Sequence, residues 1–177
     1  AFTWVIARYD KKRVAFSKMN DCYTILPKQL KSNQPCLVDL FNEAGGFPDL
    51  ITEDRTLQQL KNAGGLRLLK KEDSDSILVY DRMIRIYSRV EATGLQECQY
   101  RLREQMNSMI SYKTLTLEKE DPAIPYLNTD DMQKIDKFFV TLGEYDFNCS
   151  TMNRKVKEMK EKAISLIHYF KVKYRLE

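Results

Sequence analysis

Glycine and proline are scarce in this chain: 177 residues hold six of one and five of the other. A β protein that turns every ten or so residues needs more punctuation than that, whereas long helices need little. Histidine is scarcer still, with His168 alone. One histidine cannot supply the inward Glu-x-x-His motifs that di-iron bundles carry on two helices. The four cysteines, Cys22, Cys36, Cys98 and Cys149, include no pair at the two-to-four-residue spacing of a zinc site. They read as small buried hydrophobes, or as disulfides in an oxidising compartment, where four cysteines allow three pairings. No apolar run reaches 18 residues, so the sequence contains no complete transmembrane span.

What is present is ordinary for a globular protein, with 43% hydrophobic and 31% charged residues. The length suits a single domain over 1–177, large enough to bury roughly two-thirds of its unfolded surface. Net charge is +4, with basic excess at both ends and acidic excess between them. Lys155, Lys157, Lys160 and Lys162 alternate with Glu158 and Glu161, the pattern of a solvated helix face with i,i+4 pairs. Nucleic-acid binding would want denser Lys and Arg interleaved with aromatics, so no nucleic-acid partner is expected.

Helical periodicity runs through most of the chain. A first helix is expected from about Thr3 to Leu30, on the stripe Val5, Tyr9, Phe16, Met19, Tyr23, Leu26 and Leu30, with one gap at Lys11-Lys12-Arg13. Pro27 should kink or end it. Two short helices, about 36–44 and 54–63, end in Ala44-Gly45-Gly46-Phe47 and Ala63-Gly64-Gly65-Leu66, which look like glycine C-caps. A third long helix is expected from Glu72, or the Asp73-Ser74-Asp75 region, to about Leu117, with a weak patch at Glu91 and Gly94. Pro122 and Pro125 break the pattern. Asn128-Thr129-Asp130-Asp131 then offers N-caps for a last helix of about 45 residues, roughly 65 Å long. The spacing thus predicts an all-α fold, an antiparallel up-down bundle of long helices whose second leg is broken into two short ones.

Catalytic chemistry finds little support. His168 is flanked by core positions, without a Ser-His-Asp or Cys-His signature. Glu72, Asp73 and Asp75, like Asp130 and Asp131, read as helix-start residues. Asn148-Cys149-Ser150 fits the glycosylation pattern but falls inside a helix. No catalytic, cofactor-binding or metal-ligating residue is assigned. Tyr80, Arg85, Tyr112 and His168 are the polar groups that a pocket between helices would have to bring together. Outside the stripes, Phe47, Pro48, Leu50 and Ile51 form an apolar segment that reads either as a plug over the bundle end or as a partner contact.

The run Leu57-Gln58-Gln59-Leu60-Lys61-Asn62-Ala63-Gly64-Gly65-Leu66-Arg67-Leu68-Leu69, continued through Ser76-Ile77-Leu78-Val79-Tyr80-Asp81, resembles membrane-anchored proteins of Bacteroides and related bacteria. The ending Ala163-Ile164-Ser165-Leu166-Ile167 through Lys173-Tyr174-Arg175-Leu176-Glu177 is similar too. The resemblance covers most of residues 35–177, on caps and helix stripes. It implies a helical extracytoplasmic domain held on the periplasmic side of the inner membrane by an N-terminal anchor. Residues 1–7, with Trp4 and the nearby basic cluster, suit the outer end of such an anchor, and a buried first helical turn explains them equally. The expected function is a non-enzymatic scaffold, sensor or partner-binding module, self-associating or binding another protein. The alternative is a small-ligand binder or enzyme with a pocket between the helices.

Overall fold

The computed structural model describes residues 2–29, 34–46, 50, 55–110, 127 and 129–175, with the side chains of these except at 25–38, 55 and 56. The described residues are mostly helical: α1 (Phe2–Phe16), α2 (Met19–Gln29), α3 (Gln34–Ala44), α4 (Arg55–Asn62), α5 (Lys71–Val90), α6 (Glu97–Met109) and α7 (Met132–Tyr174). A 3-10 turn, Gly65–Leu68, precedes α5, and a π turn, Glu91–Gln96, joins α5 to α6. The β pairing among the described residues is one isolated antiparallel bridge, Ile110 with Leu127.

The 43-residue α7 is the spine. Asp131 caps its start, its carboxylate accepting from the Gln133 amide at 3.0 Å. Ile135, Leu142, Tyr145, Cys149, Met152, Val156 and Met159 keep three- to seven-residue steps and all are buried. Partners meet this stripe in reverse order. Along α1 and α2, Thr3 lies by Lys160 (3.4 Å), Asp10 by Asn153 (2.7 Å), the Phe16 ring 5.8 Å from Tyr145, and Tyr23 on Asp136. Along α5 and α6, Asp73 lies by Tyr169 (2.7 Å) and Arg101 by Glu144 (2.8 Å). Both chains of helices therefore run antiparallel to α7.

The expected first helix is two helices. Ser17 turns its hydroxyl back onto the Val14 carbonyl (2.8 Å), and the Lys18 amide bonds Ala15 three residues back, tightening the chain into a turn. α2 carries Pro27 within its described span, Met19–Gln29. The gap in the α1 stripe is also corrected, because Lys12 fills it and is fully buried. At the α4 end Gly64 takes φ 71°, the left-handed cap conformation expected there, whereas neither Gly45 nor Gly46 has positive φ. The third long helix follows one helical path from Lys71 to Met109, where Ile110 turns extended. Its expected continuation to Leu117, the prolines at 122 and 125, and Phe47, Pro48 and Ile51 lie outside the described residues.

The weak patch at Glu91 and Gly94 is the π turn, whose wider winding lets Glu91 and Leu95 both face the core. A Cβ on Gly94 would meet its nearest neighbour, Asn148 Oδ1, at 3.8 Å, an ordinary contact. Gly94→Ala should therefore raise the unfolding free energy by about 0.5–1 kcal/mol through helix propensity alone, read from the urea midpoint.

Candidate functional site

The densest cluster of polar groups lies inside, where α1, α3 and α7 meet. Lys12 is 0% exposed, and its ammonium donates to the Glu43 carbonyl oxygen. It lies 3.9 Å from Glu43 Oε2 and 5.6 Å from the centre of the Tyr145 ring. Glu43 Oε1 is held by Lys11 at 2.7 Å, and Lys11 stays in solvent. Burial pulls the Lys12 pKa down, opposed by the neighbouring Cys149 and Glu43. The helix periodicity places position 12 on the core face between Tyr9 and Phe16, and its long stem fills that level as a hydrophobe would.

Beside it run the Tyr9 and Tyr87 hydroxyls, 3.4 Å apart, with Tyr87 also donating to Glu91 Oε1 at 3.2 Å. Tyr145 donates to the Gly46 carbonyl at 2.8 Å. Burial raises the pKa of Tyr87 and of Tyr145, so both stay neutral hydroxyls. Cys149 is buried and its thiol is pushed up to about 12, mainly by burial. Cys98 is buried and raised as well, its Sγ lying 3.5 Å from the Thr141 carbonyl. A thiol held protonated is a poor nucleophile and a poor metal ligand. Both cysteines are free, as small buried groups. Cys22 is different: it is buried but disulfide-bonded, so the two readings of the cysteines divide between it and the free Cys98 and Cys149.

Asp73, read as a helix-start residue, and Asp81 are both inside. Asp73 is 0% exposed, and its carboxylate accepts from Tyr169 (2.7 Å), Lys173 and Tyr174, all on the last turns of α7. The Lys173 and tyrosine donors outweigh burial and hold the Asp73 pKa down to about 2. Asp81 is buried too, taking Lys61 of α4 at 2.9 Å and Arg85 at 2.8 Å. The sequence carries a usable mark of both, since 73, 77, 81 and 84 share one helix face with the core stripe.

The proposed pocket residues are not brought together. Arg85 is turned to Asp81, Tyr80 is half-buried on α5, and His168 is exposed on α7; Tyr112 lies outside the described residues. Leu50 is buried with the core, as a plug residue would be, while Phe47, Pro48 and Ile51 lie outside the described residues. The first turn of α1 packs into the protein, with Val5 buried and Trp4 exposed. Among the described residues no helix is long and apolar enough to cross a membrane, and no group of three or more His, Cys, Asp or Glu could hold a metal ion.

Two outcomes follow from these interior groups. Lys12→Met should leave stability within about 1 kcal/mol of the parent or raise it, because a buried charge costs desolvation that the methionine does not. Lys12→Ala should lower stability by about 2–4 kcal/mol through the cavity it opens. The folded chain gives up the Lys12 proton at lower pH than the unfolded chain does. The parent should therefore gain on Lys12→Met as pH rises towards about 10.4, in paired urea titrations. For Asp73 the sign is opposite. Its contribution is complete above the unfolded value of about 3.9 and is lost as pH falls towards about 2. Asp73→Asn should lower the melting temperature at neutral pH and flatten its fall below pH 4.

In comparisons with family models, curated proteins and solved structures, nothing matches this chain.

Proposed function

We propose that this chain is a non-enzymatic, extracytoplasmic helical domain that works as a scaffold, associating through the outer face of α7. In this reading its helices form an antiparallel up-down bundle, with α3 and α4 as the broken second leg. The observation that carries the scaffold role is on that outer face. Phe147 is 71% exposed and Val140, two turns before it, is 64% exposed. A large aromatic and a β-branched residue standing out from a rigid helix suit a protein contact. The interior supports the non-enzymatic part, since its thiols and phenols are held protonated and its carboxylates at 73 and 81 are committed to ion pairs.

The compartment is supported by Cys22, because a buried disulfide persists in oxidising surroundings and seldom in a reducing cytosol. Periplasmic anchoring in a bacterial inner membrane, as the resemblance to Bacteroides proteins implies, is consistent with such a bond. Alkylation in urea tests the bond directly. Cys98 and Cys149 should react without reductant, while Cys22 should react after reduction only, as peptide mass spectrometry reads.

Light scattering coupled to size exclusion tests the association. The parent should run as a defined oligomer that Phe147→Asp converts to monomer with an unchanged melting temperature. A parent that is monomeric at every concentration would remove self-association from the proposal.

A further inference from the structure

A second exposed cluster lies far from Phe147, at the end of the molecule where α5 begins and α7 finishes. Leu68 is 89% exposed, the most exposed large apolar side chain among the described residues. It ends the 3-10 turn that leads into α5. Ser74 fixes this turn by donating to the Leu66 carbonyl at 2.6 Å. The neighbouring Asp73 fastens the same turn of α5 to Tyr169, Lys173 and Tyr174. Leu68 is thus held rigidly at the level of the last turns of α7.

Those last turns carry their own exposed apolar side chains. Ile164, Ile167 and Val172 are 57%, 58% and 67% exposed. Ile164 and Val172 are turned away from the face that packs through Ala163, Leu166 and Phe170, and Ile167 stands at the edge of that face. Basic groups surround both parts. Arg67, Lys70 and Lys71 flank Leu68, and Lys171 and Arg175 stand with Val172, all exposed. Glu72 and Asp75 are the exposed acids of the α5 start, and Asp73 is neutralised by Lys173. This end of the molecule therefore carries several exposed apolar side chains, Leu68 the foremost, with a net cationic set of charges among them.

We infer that this end of the molecule docks on the surface of an anionic lipid bilayer, with Leu68 entering the headgroup layer and the lysines and arginines beside it meeting lipid phosphates. Charge complementarity selects a bilayer here. Basic residues around protruding aliphatic side chains gain from both anionic headgroups and the acyl boundary, whereas an apolar protein groove would leave five cations unmatched. The first turn of α1 points towards this same end, since Thr3 lies against Lys160 of the antiparallel α7. The inference goes beyond the scaffold reading and does not depend on it, because the bilayer surface and the Phe147 face lie on different stretches of α7.

Vesicle flotation of the 177-residue chain tests it. The parent should float with phosphatidylcholine vesicles containing phosphatidylglycerol, should stay behind with phosphatidylcholine alone, and should be released by added salt. Leu68→Glu, and separately Lys70→Glu with Lys71→Glu, should each weaken binding by about tenfold or more, with unchanged circular dichroism. The charge-matched control Arg89→Glu with Arg103→Glu, and Phe147→Asp, should bind as the parent does. No flotation with the anionic vesicles at low salt overturns the inference. So does equal weakening by the charge-matched control, which would mean general attraction to a net-positive protein. A lipid-free oligomer that Leu68→Glu dissociates, together with no flotation, would assign this end to a second copy of the chain and overturn it likewise. Persistence of the Phe147-dependent oligomer and of the Cys22 bond in any of these cases leaves the scaffold reading standing.

Discussion

A helix of 43 residues presents more apolar stripe than any single partner in this chain can cover. The other helices are each half that length or less, so α7 has to be covered in sequence, by α1 and α2 along one side and by α5, the π turn and α6 along the other. This constraint explains features that look unrelated. The turn at Ser17-Lys18 divides one covering leg, and the π turn at Glu91–Gln96 resets the other. A straight helix drifts out of phase with a long partner, and a turn or a π bulge restores the contact. Coverage fails beyond Met159, the last buried residue of α7, after which Ala163, Leu166 and Phe170 are half-buried at best.

Hydrophobic stripes alone leave the register of such legs loosely defined, since one leucine packs much like the next. Buried polar groups remove that freedom because each has one acceptable partner. Lys12 with Glu43 aligns α1 against α3, Asp81 with Lys61 aligns α5 against α4, and Asp73 with Lys173 aligns α5 against α7. Asn153 with Asp10 does the same between α7 and α1. A buried ion pair contributes little net stability against a hydrophobic replacement, because desolvation consumes most of its Coulombic gain. Slipping a helix by one turn would strand a buried charge, which costs far more. Their effect is therefore on which arrangement forms more than on how stable it is.

Much of this was legible in the sequence, and the failures share one cause. The class, the two short helices, the Asp131 cap and the end of α7 follow from periodicity and capping residues, which act locally. Gly64 was legible for the same reason. The buried lysine and aspartates were not, because polarity argues for the surface and helix-face position argues for the core, and composition cannot say which prevails. At positions 12, 73 and 81 the face prevailed, since a partner from a distant helix was there to meet the charge. The break at Ser17 escaped because a single serine is compatible with a helix unless its hydroxyl competes for the backbone. The tip around Leu68 was read as a cap motif, and its exposure depends on where α5 is fastened, a fact that resides in Asp73 and α7 together. Of the apolar segment read either as a plug or as a partner contact, Leu50 is buried.

The same ion pairing that sets the register also reaches out to the surface. Interior thiols and phenols sit in surroundings that favour their protonated forms, and the buried Asp73 and Asp81 are bonded to cations. The clamp on Asp73 illustrates this reach. It withdraws one acid and one lysine from solvent together, so the net charge of that end is the same with the clamp as without it. It also fastens the turn of α5 beside Leu68, so an interior carboxylate bears on the rigidity of an exposed surface. A loose turn would fold its leucine back against α5, as an unconstrained apolar side chain in water tends to do. Held by Ser74 and Asp73, it stays in solvent at a cost in hydration, and that cost is recovered on contact with an apolar or interfacial surface.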